Sequence, residues 1–426
     1  MLVSGDNTEN HGHIDSDGSV HVRFKGGNPA LDLTGRQEVV NPVPVAEYNF
    51  KYDMTAGNRV SVVTDGTAST TYLPTKNTVR LRVDTSTGDK ITVQTHKYHI
   101  MPSGIAHGAL FTLWVGDQGK ANCRRRWGYY DEGDGHFFEI DGTDTNVVWR
   151  TSTSGSMVEY RYPQSNWNLD TLDGTGDLNN PSGYTLDVSK LNIYYLESAG
   201  NGGSTLGVFL NGKRIEVHSF PVAGYISDVS SQHASSFPLR CEIENTGETA
   251  STSEIYIVSG SVLANTTKDG LYATRKGLGS LSSGLKSVGS DWEHMFSIRA
   301  AQTYQGKDNR AWIFPYLTKI LSVSEPVEYI VSIAPSTALA GVGDGSWTQT
   351  GLAEYTIDST NSTPFNFATY EFAGSNQAIT CNHIREGVGP SEAKLIRYAD
   401  ITADPMTVSV YCRSLTGAST NVTVTF

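Results

Sequence analysis

The chain has 426 residues, a length that favours two or three domains over a single core. Its 44 acidic against 32 basic side chains give a net charge of −12, which argues against nucleic acid or an anionic membrane as the main partner. Hydrophobic residues make up only 38%, glycines number 43 and aromatics reach 10%, a turn-rich but well-anchored composition that predicts an all-β chain and not a disordered one.

No apolar run reaches transmembrane length, and the polar N-terminal stretch has no signal-peptide core, so a soluble protein without its own secretion signal is expected. The four cysteines, Cys123, Cys241, Cys381 and Cys412, are far apart and form no C-x-x-C pair, which signals neither zinc nor redox chemistry. Cys381 and Cys412 are close enough in sequence for a bridge, but buried free thiols are the expected state.

From the N-terminus, residues 1–46 are polar and glycine-rich and are broken by Pro42 and Pro44. They read as an extended arm that needs a partner to hold it, since ordering costs roughly 1–2 kcal/mol per residue in backbone entropy. Within it, His11, His13, Asp15 and Asp17 form a chelate-like cluster with no scaffold, read as a polar docking segment. Next, Val79, Leu81 and Val83 alternate with Arg80 and Arg82, and Gly88-Asp89 leads into Ile91 and Val93; the period of two predicts a half-buried hairpin. His96 and His99, three apart on a strand, fall on opposite faces and make poor co-ligands.

The stretch from Arg124 to Asp144 packs three arginines, aromatics and carboxylates around "DEGDG", which predicts a second hairpin with an acidic turn. The loop from Gln164 to Lys190 interleaves Asp170, Asp173, Asp177 and Asp187 with glycines and reads as a surface connection with Trp167 plugged into a sheet. Asn211-Gly212 between two alternating runs marks a type I′ hairpin. Glu254–Val262 and Asn421–Phe426 are further strands, and only Ser280–His294 hints at a short helix, weakened by its glycines and serines. A junction at Ser322–Val331 divides a large core, residues 47–325, from a C-terminal β domain, residues 326–426, with its own aromatics, among them Trp347, Tyr355, Phe365, Phe367, Tyr370 and Phe372. The expected architecture is an all-β chain: a β-sandwich or jelly-roll-like core, a smaller C-terminal β-sandwich and the extended arm.

Chemistry-bearing patterns each have a plainer reading. Asp131, Asp134 and Asp141 could converge on calcium at a hairpin mouth, but the EF-hand spacing is not met and the residues suit a turn. Glu139 and Asp141 share a strand face and are the one candidate glycosidase pair. Arg124-Arg125-Arg126 invites phosphate, yet arginines among carboxylates on a strand pair with them. Nucleophile-elbow, P-loop and H-E-x-x-H signatures are missing. No residue is assigned a catalytic, cofactor-binding or metal-binding role.

Several segments, in order, resemble virion structural proteins of tailed bacteriophages: fibre, tail or head-decoration proteins. They are "LTGRQEVVNPVPVAEYNFKYD" (Leu33–Asp53), "VQTHKYHIMPSG" (Val93–Gly104), and the steps Arg126-x-Gly128-x-Tyr130-Asp131 and Gly135-x-Phe137-Phe138-Glu139. "VVWRTSTSG" (Val147–Gly155), "QSNWNLDTLDGTG" (Gln164–Gly176), "SGYTLDVSKLNI" (Ser182–Ile193) and "FPLRCEIENT" (Phe237–Thr246) follow. The likeness covers about Leu33 to Thr246 and thins out towards Leu321; it departs at Tyr194–Gly207 and over the last hundred residues.

The resemblance implies a non-enzymatic virion component without cofactor or metal. Its partners would be other virion proteins, copies of itself as a homo-oligomer, for which a trimer is the family's usual form, and host cell-surface polysaccharide met by the C-terminal domain. The rival readings are a lectin-like glycan-binding module, with Trp347 and Tyr355 stacking on sugars, and a polysaccharide-degrading enzyme built on Glu139 and Asp141.

Overall fold

A computed structural model describes residues 13–14, 20–21, 43–50, 60–95, 98–100, 107–198, 203–221, 236–264, 285–309, 317–335, 347–357, 368–372, 377–382 and 406–425. Among the described residues there is no α-helix, only one 3-10 turn at Gln164–Asn166, and antiparallel strands supply the rest of the regular structure. No helix among them is long and apolar enough to cross a membrane. The chain is all-β, as its composition predicts.

The large sandwich is built from fifteen strands: β1 (Val43–Asn49), β2 (Val60–Asp65), β3 (Ser69–Leu73), β4 (Thr78–Val83), β5 (Lys90–Thr95), β6 (His107–Val115), β7 (Cys123–Tyr130) and β8 (Gly135–Asp141). The chain continues through β9 (Asp144–Thr151), β10 (Val158–Pro163), β11 (Asn192–Ser198), β12 (Gly203–Leu210), β13 (Lys213–Pro221), β14 (Leu239–Asn245) and β15 (Ser253–Ala264). One sheet of seven strands runs in the order β10-β9-β8-β7-β14-β5-β2; the other, of eight, runs β13-β12-β11-β6-β15-β4-β3 with β1 also paired to β15.

Period-two alternation turns one side of each strand inward. On β7, Cys123, Trp127 and Tyr129 face the core while Arg124, Arg126 and Tyr130 face out. Leu81, Ile91, Leu113, Trp127, Phe138 and Tyr194, from both sheets, are at or near full burial in one continuous core. Each large apolar side chain so placed contributes about 1.5–3 kcal/mol. Trp167 joins this core from its loop, its indole N–H donating to the Tyr162 carbonyl at 3.1 Å.

The Asn211-Gly212 hairpin forms as read, with φ of 49° and 75° at the two turn residues and Leu210 opposite Lys213. The pair expected around Gly88-Asp89 does not: β4 lies in the eight-stranded sheet and β5 in the seven-stranded one. The intervening bend crosses between sheets. It is tied down by the Gly88 N–H on the Asn245 carbonyl (2.8 Å) and by Asp89, whose carboxylate accepts from the Thr67 N–H and hydroxyl. Alternation identifies a strand's faces; it does not identify its neighbour.

A second core gathers Val288, Met295, Phe296, Ile320, Tyr329, Val408 and Val424 among others. It lies on a six-stranded sheet and a four-stranded sheet. Strands Lys286–Val288, Glu293–Ala300 and Leu317–Ser322, placed by the sequence before the border near residue 325, hydrogen-bond to strands that lie after it. Of the arm drawn over residues 1–46, most lies outside the described residues; Val43 to Ala46 belong to β1, and His13–Ile14 pairs with Val20–His21. Most of Ser280–His294 that is described is strand or loop. Cys123, Cys241 and Cys412 are buried free thiols.

Candidate functional site

The acidic stretch is a hairpin. β7 and β8 pair from Arg124 opposite Asp141 to Tyr130 opposite Gly135, and the turn between them is closed by its own carboxylates. Asp131 accepts from the Gly133 and Asp134 N–H groups, both at 2.9 Å, and Asp134 accepts from the Ser152 N–H and hydroxyl. Asp141 lies at the far end of β8, so the three aspartates do not meet, in keeping with the turn reading over the calcium one. Gly135 has φ of 129°, and a Cβ there would come within 2.4 Å of the Tyr129 carbonyl.

On the outer face of the seven-stranded sheet, outward residues of five strands join in one ion-pair network. Arg126 on β7 donates to Glu139 (2.7 Å), Glu242 (3.2 Å) and Glu159 (3.3 Å). Arg161 binds Glu139 (2.8 Å) and Glu159, Arg150 binds Glu159 (2.6 Å), and Arg240 binds Glu242 (2.8 Å) and Glu132 (2.7 Å). At the margin Arg124 pairs with Glu244 at 2.9 Å. Aromatic rings form the floor. Arg126 and Arg150 lie over Phe137, at 5.3 and 5.0 Å, and Arg150 and Arg240 over Tyr130, both at 5.2 Å.

Burial alone raises the Glu242 carboxyl, but Arg240 and Arg126 beside it outweigh that and bring it down to about 2. The same neighbours act in reverse on the arginines: burial disfavours the charge on Arg240 and Arg126, and the carboxylates more than restore it. Arg125, on the inner side and fully buried, donates from Nη2 to Asp117 at 2.9 Å, with Nη1 at ion-pair distance, 2.8 Å, from the other oxygen. The three consecutive arginines are thus all matched to carboxylates of this chain, as their setting predicts.

Glu139 is fully buried, and both its oxygens accept from guanidiniums; Asp141 points from the same face at the sheet margin. That leaves Glu139 no uncommitted oxygen for acid–base or nucleophilic work. In the Gln164–Lys190 loop, Asp170 accepts from Leu172, Asn180 and Ser182, Asp173 from Thr175, Asp177 from Asn179 and Asn180, and Asp187 from Ser189 and Gln118. These carboxylates fold their own loop. Among the described residues no group of three or more His, Cys, Asp or Glu side chains is arranged to hold a metal.

Besides Arg124 Nε at the margin, three polar atoms on this face have no partner among the described residues: the Tyr130 hydroxyl, Arg240 Nη1 and Gln94 Oε1. All three side chains are at least nine-tenths buried. Arg240 sits in register between Gly128 on β7 and Gln94 on β5, with Tyr130 two residues along from Gly128. Glu132, 56% exposed, is the solvent-facing member of the cluster.

Elsewhere, Tyr355 stacks on Phe296 beside the second core, and one face of Trp347 is covered by the Arg299 guanidinium 3.9 Å from the ring. His99 contacts the Tyr48 hydroxyl at 3.2 Å. His11, Asp15, Asp17, His96, Phe365 and Phe367 lie outside the described residues, as do the side chains of His13, Tyr370 and Phe372. Sequence reasoning did not single out Gln94, Arg150, Glu159, Arg161, Arg240 or Glu242. Their signal was present as alternating charge in "VEYRY" and "LRCEIE", which marks an outward face without saying which strands share it.

No family model matches the sequence, and no curated protein is significantly similar to it. Solved structures that resemble it include a protein of unknown function from Shewanella oneidensis MR-1, 12% identical, covering 54% of this chain and 88% of that one at a TM-score of 0.35. The legume lectin-like domain from Entamoeba histolytica is 11% identical, covers 52% and 98%, and has a TM-score of 0.32. The alginate lyase AlyC3 is 9% identical, covers 45% and 76%, and has a TM-score of 0.29. Such identities and scores leave the function to be read from the chain's own residues.

Proposed function

We propose that this chain is a non-enzymatic recognition protein that binds a glycan on the outer face of its seven-stranded sheet. One observation carries the reading: Tyr130, Arg240 and Gln94 bring two donors and an acceptor, unspent and buried, to one end of that face. Leaving such groups unsatisfied costs about 1–3 kcal/mol each, and a ligand that satisfies them recovers that energy on binding. Sugar hydroxyls donate and accept at adjacent positions, and the rings of Tyr130 and Phe137 lie under the guanidiniums of the same face. A glycan array probed with the full chain tests this. Binding that is weakened in Tyr130→Phe supports the reading, and silence across the array defeats it.

A second reading concerns where the protein works. The phrases that resemble tailed-phage virion proteins supply Arg126, Tyr130, Phe137 and Glu139 from one hairpin and Arg240 and Glu242 from β14. These residues meet in one network, as expected if the phrases mark an architecture shared with that family. On this reading the protein is an exposed, homo-oligomeric virion component that joins other virion proteins through residues 1–46 and meets host polysaccharide. A variant lacking residues 1–42, which leaves β1 whole, would then fold but fail to join particles; normal incorporation would sink the idea.

A further inference from the structure

We propose that the glycan taken by this face is an acidic one, and that Glu132 is a built-in stand-in for its carboxylate, giving up its place on Arg240 when the ligand arrives. The inference rests on the glycan reading and adds the ligand's charge. Arg240 is 2% exposed, and its Nε and Nη2 both donate to Glu242, at 3.2 and 2.8 Å. Glu242 is 2% exposed and shared with Arg126, so it is a fixed part of the network.

Glu132 differs in every respect. It comes from the Asp131–Asp134 turn, is 56% exposed, and contributes one oxygen to Arg240 Nη2 at 2.7 Å. Glu132 gives up little on leaving, because water and salt take over its exposed carboxylate while Arg240 keeps its contact with Glu242. A carboxylate arriving from solvent therefore displaces Glu132 cheaply. It can then take the guanidinium edge with two oxygens, using Nη2 and the unspent Nη1 together, the geometry that makes arginine selective for planar carboxylates.

Tyr130 and Gln94 supply what surrounds that carboxylate. The Tyr130 ring lies against the Arg240 guanidinium (5.2 Å), and its hydroxyl has no partner among the described residues. Gln94 is directly opposite Arg240 in the sheet and keeps one amide atom unspent while the other donates to the Tyr98 hydroxyl at 2.8 Å. A charged anchor flanked by a phenol and an amide suits a uronic or sialic acid, whose carboxylate is attached to a ring bearing hydroxyls. A neutral hexose would leave Glu132 in place and Nη1 unspent.

The test compares the full chain's binding to acidic oligosaccharides and to the same oligosaccharides after reduction of their carboxyl groups to alcohols. Binding to the acidic set should exceed that to the reduced set by roughly tenfold or more. Glu132→Gln, a surface change, should tighten acidic binding several-fold by removing the competing charge. Tyr130→Phe, which deletes an atom that bonds to nothing in the described fold, should weaken it about fivefold to tenfold with no drop in Tm. Equal binding of both sets, with Glu132→Gln silent, overturns the acidic assignment and leaves the glycan reading standing. No binding to either set overturns both.

Discussion

Arg126 illustrates what a guanidinium does when a sheet face is closed over it: five donors in a fixed fork meet three carboxylates from three other strands. Removing it strands buried negative charge, so Arg126→Met should lower the unfolding free energy by about 3–5 kcal/mol. Arg82→Met, which breaks a pair with Asp84 that is 37% and 43% exposed, should cost less than about 1 kcal/mol. Urea denaturation of the two variants measures the contrast, and equal losses would refute the buried-network account.

Acid exposes a second residue-scale property. Burial pulls His107 and His218 down to about 4, and burial, with His218 nearby, pulls His136 to about 3. Below pH 6.5 the unfolded chain takes up protons that these neutral, buried rings refuse. Stability is therefore complete above pH 6.5 and falls as the pH drops towards 4, by up to about 1.4 kcal/mol per histidine per pH unit. Glu242 acts in a lower window: its contribution is present above its ordinary value of 4.5 and is lost as the pH falls towards 2. The urea midpoint should thus be lower at pH 5 than at pH 7.5, and an unchanged midpoint would contradict the burial of the histidines.

Among elements, the Gln164–Lys190 loop shows how an acidic, glycine-rich segment can tie its carboxylates to its own donors. Asn180, fully buried, donates to Asp170 (2.7 Å) and to the Tyr184 carbonyl (3.1 Å), and its carbonyl oxygen accepts from Gly176. Asn180→Ala should open the loop to proteolysis while leaving the sheets folded, and limited digestion reads this out. Calcium or EDTA should move Tm by less than about 1 °C, because the loop's carboxylates are spent on its own donors. A larger rise with calcium would show that an ion competes successfully for them.

Turn chemistry was legible at this scale: Asn211-Gly212 and the "DEGDG" turn follow from residue type, as does the inward set Val79, Leu81 and Val83 of β4 from the period of two. Partner choice was not legible, as the bend at Gly88-Asp89 shows, since a crossing between sheets and a hairpin use the same residues. The period itself fails where a bulge adds a residue. A register shift between His294 and Phe296 brings His294 Nε2 to 2.6 Å from Ser297 Oγ, although three residues apart on a regular strand would put them on opposite faces.

For the whole molecule, composition was enough to give the all-β sandwich, because frequent turns and a tenth of aromatic residues leave few other ways to bury a core. The second core takes in Val288, Met295 and Ile320 from before the border drawn near residue 325, and of the aromatics named for that region Tyr355 packs against it. The proposed ligand face was the least legible feature. Gln94, Tyr130 and Arg240 come from strands separated by many residues, and only the sheet order β7-β14-β5 brings them side by side.

The central claim is that a glycan occupies that face, and a structure of the full chain bound to its best array ligand tests it most directly. The account predicts sugar oxygens at hydrogen-bond distance, about 3 Å, from the Tyr130 hydroxyl and Arg240 Nη1, with Glu132 turned away. A sugar bound on another surface, with Tyr130 and Arg240 untouched, would contradict it.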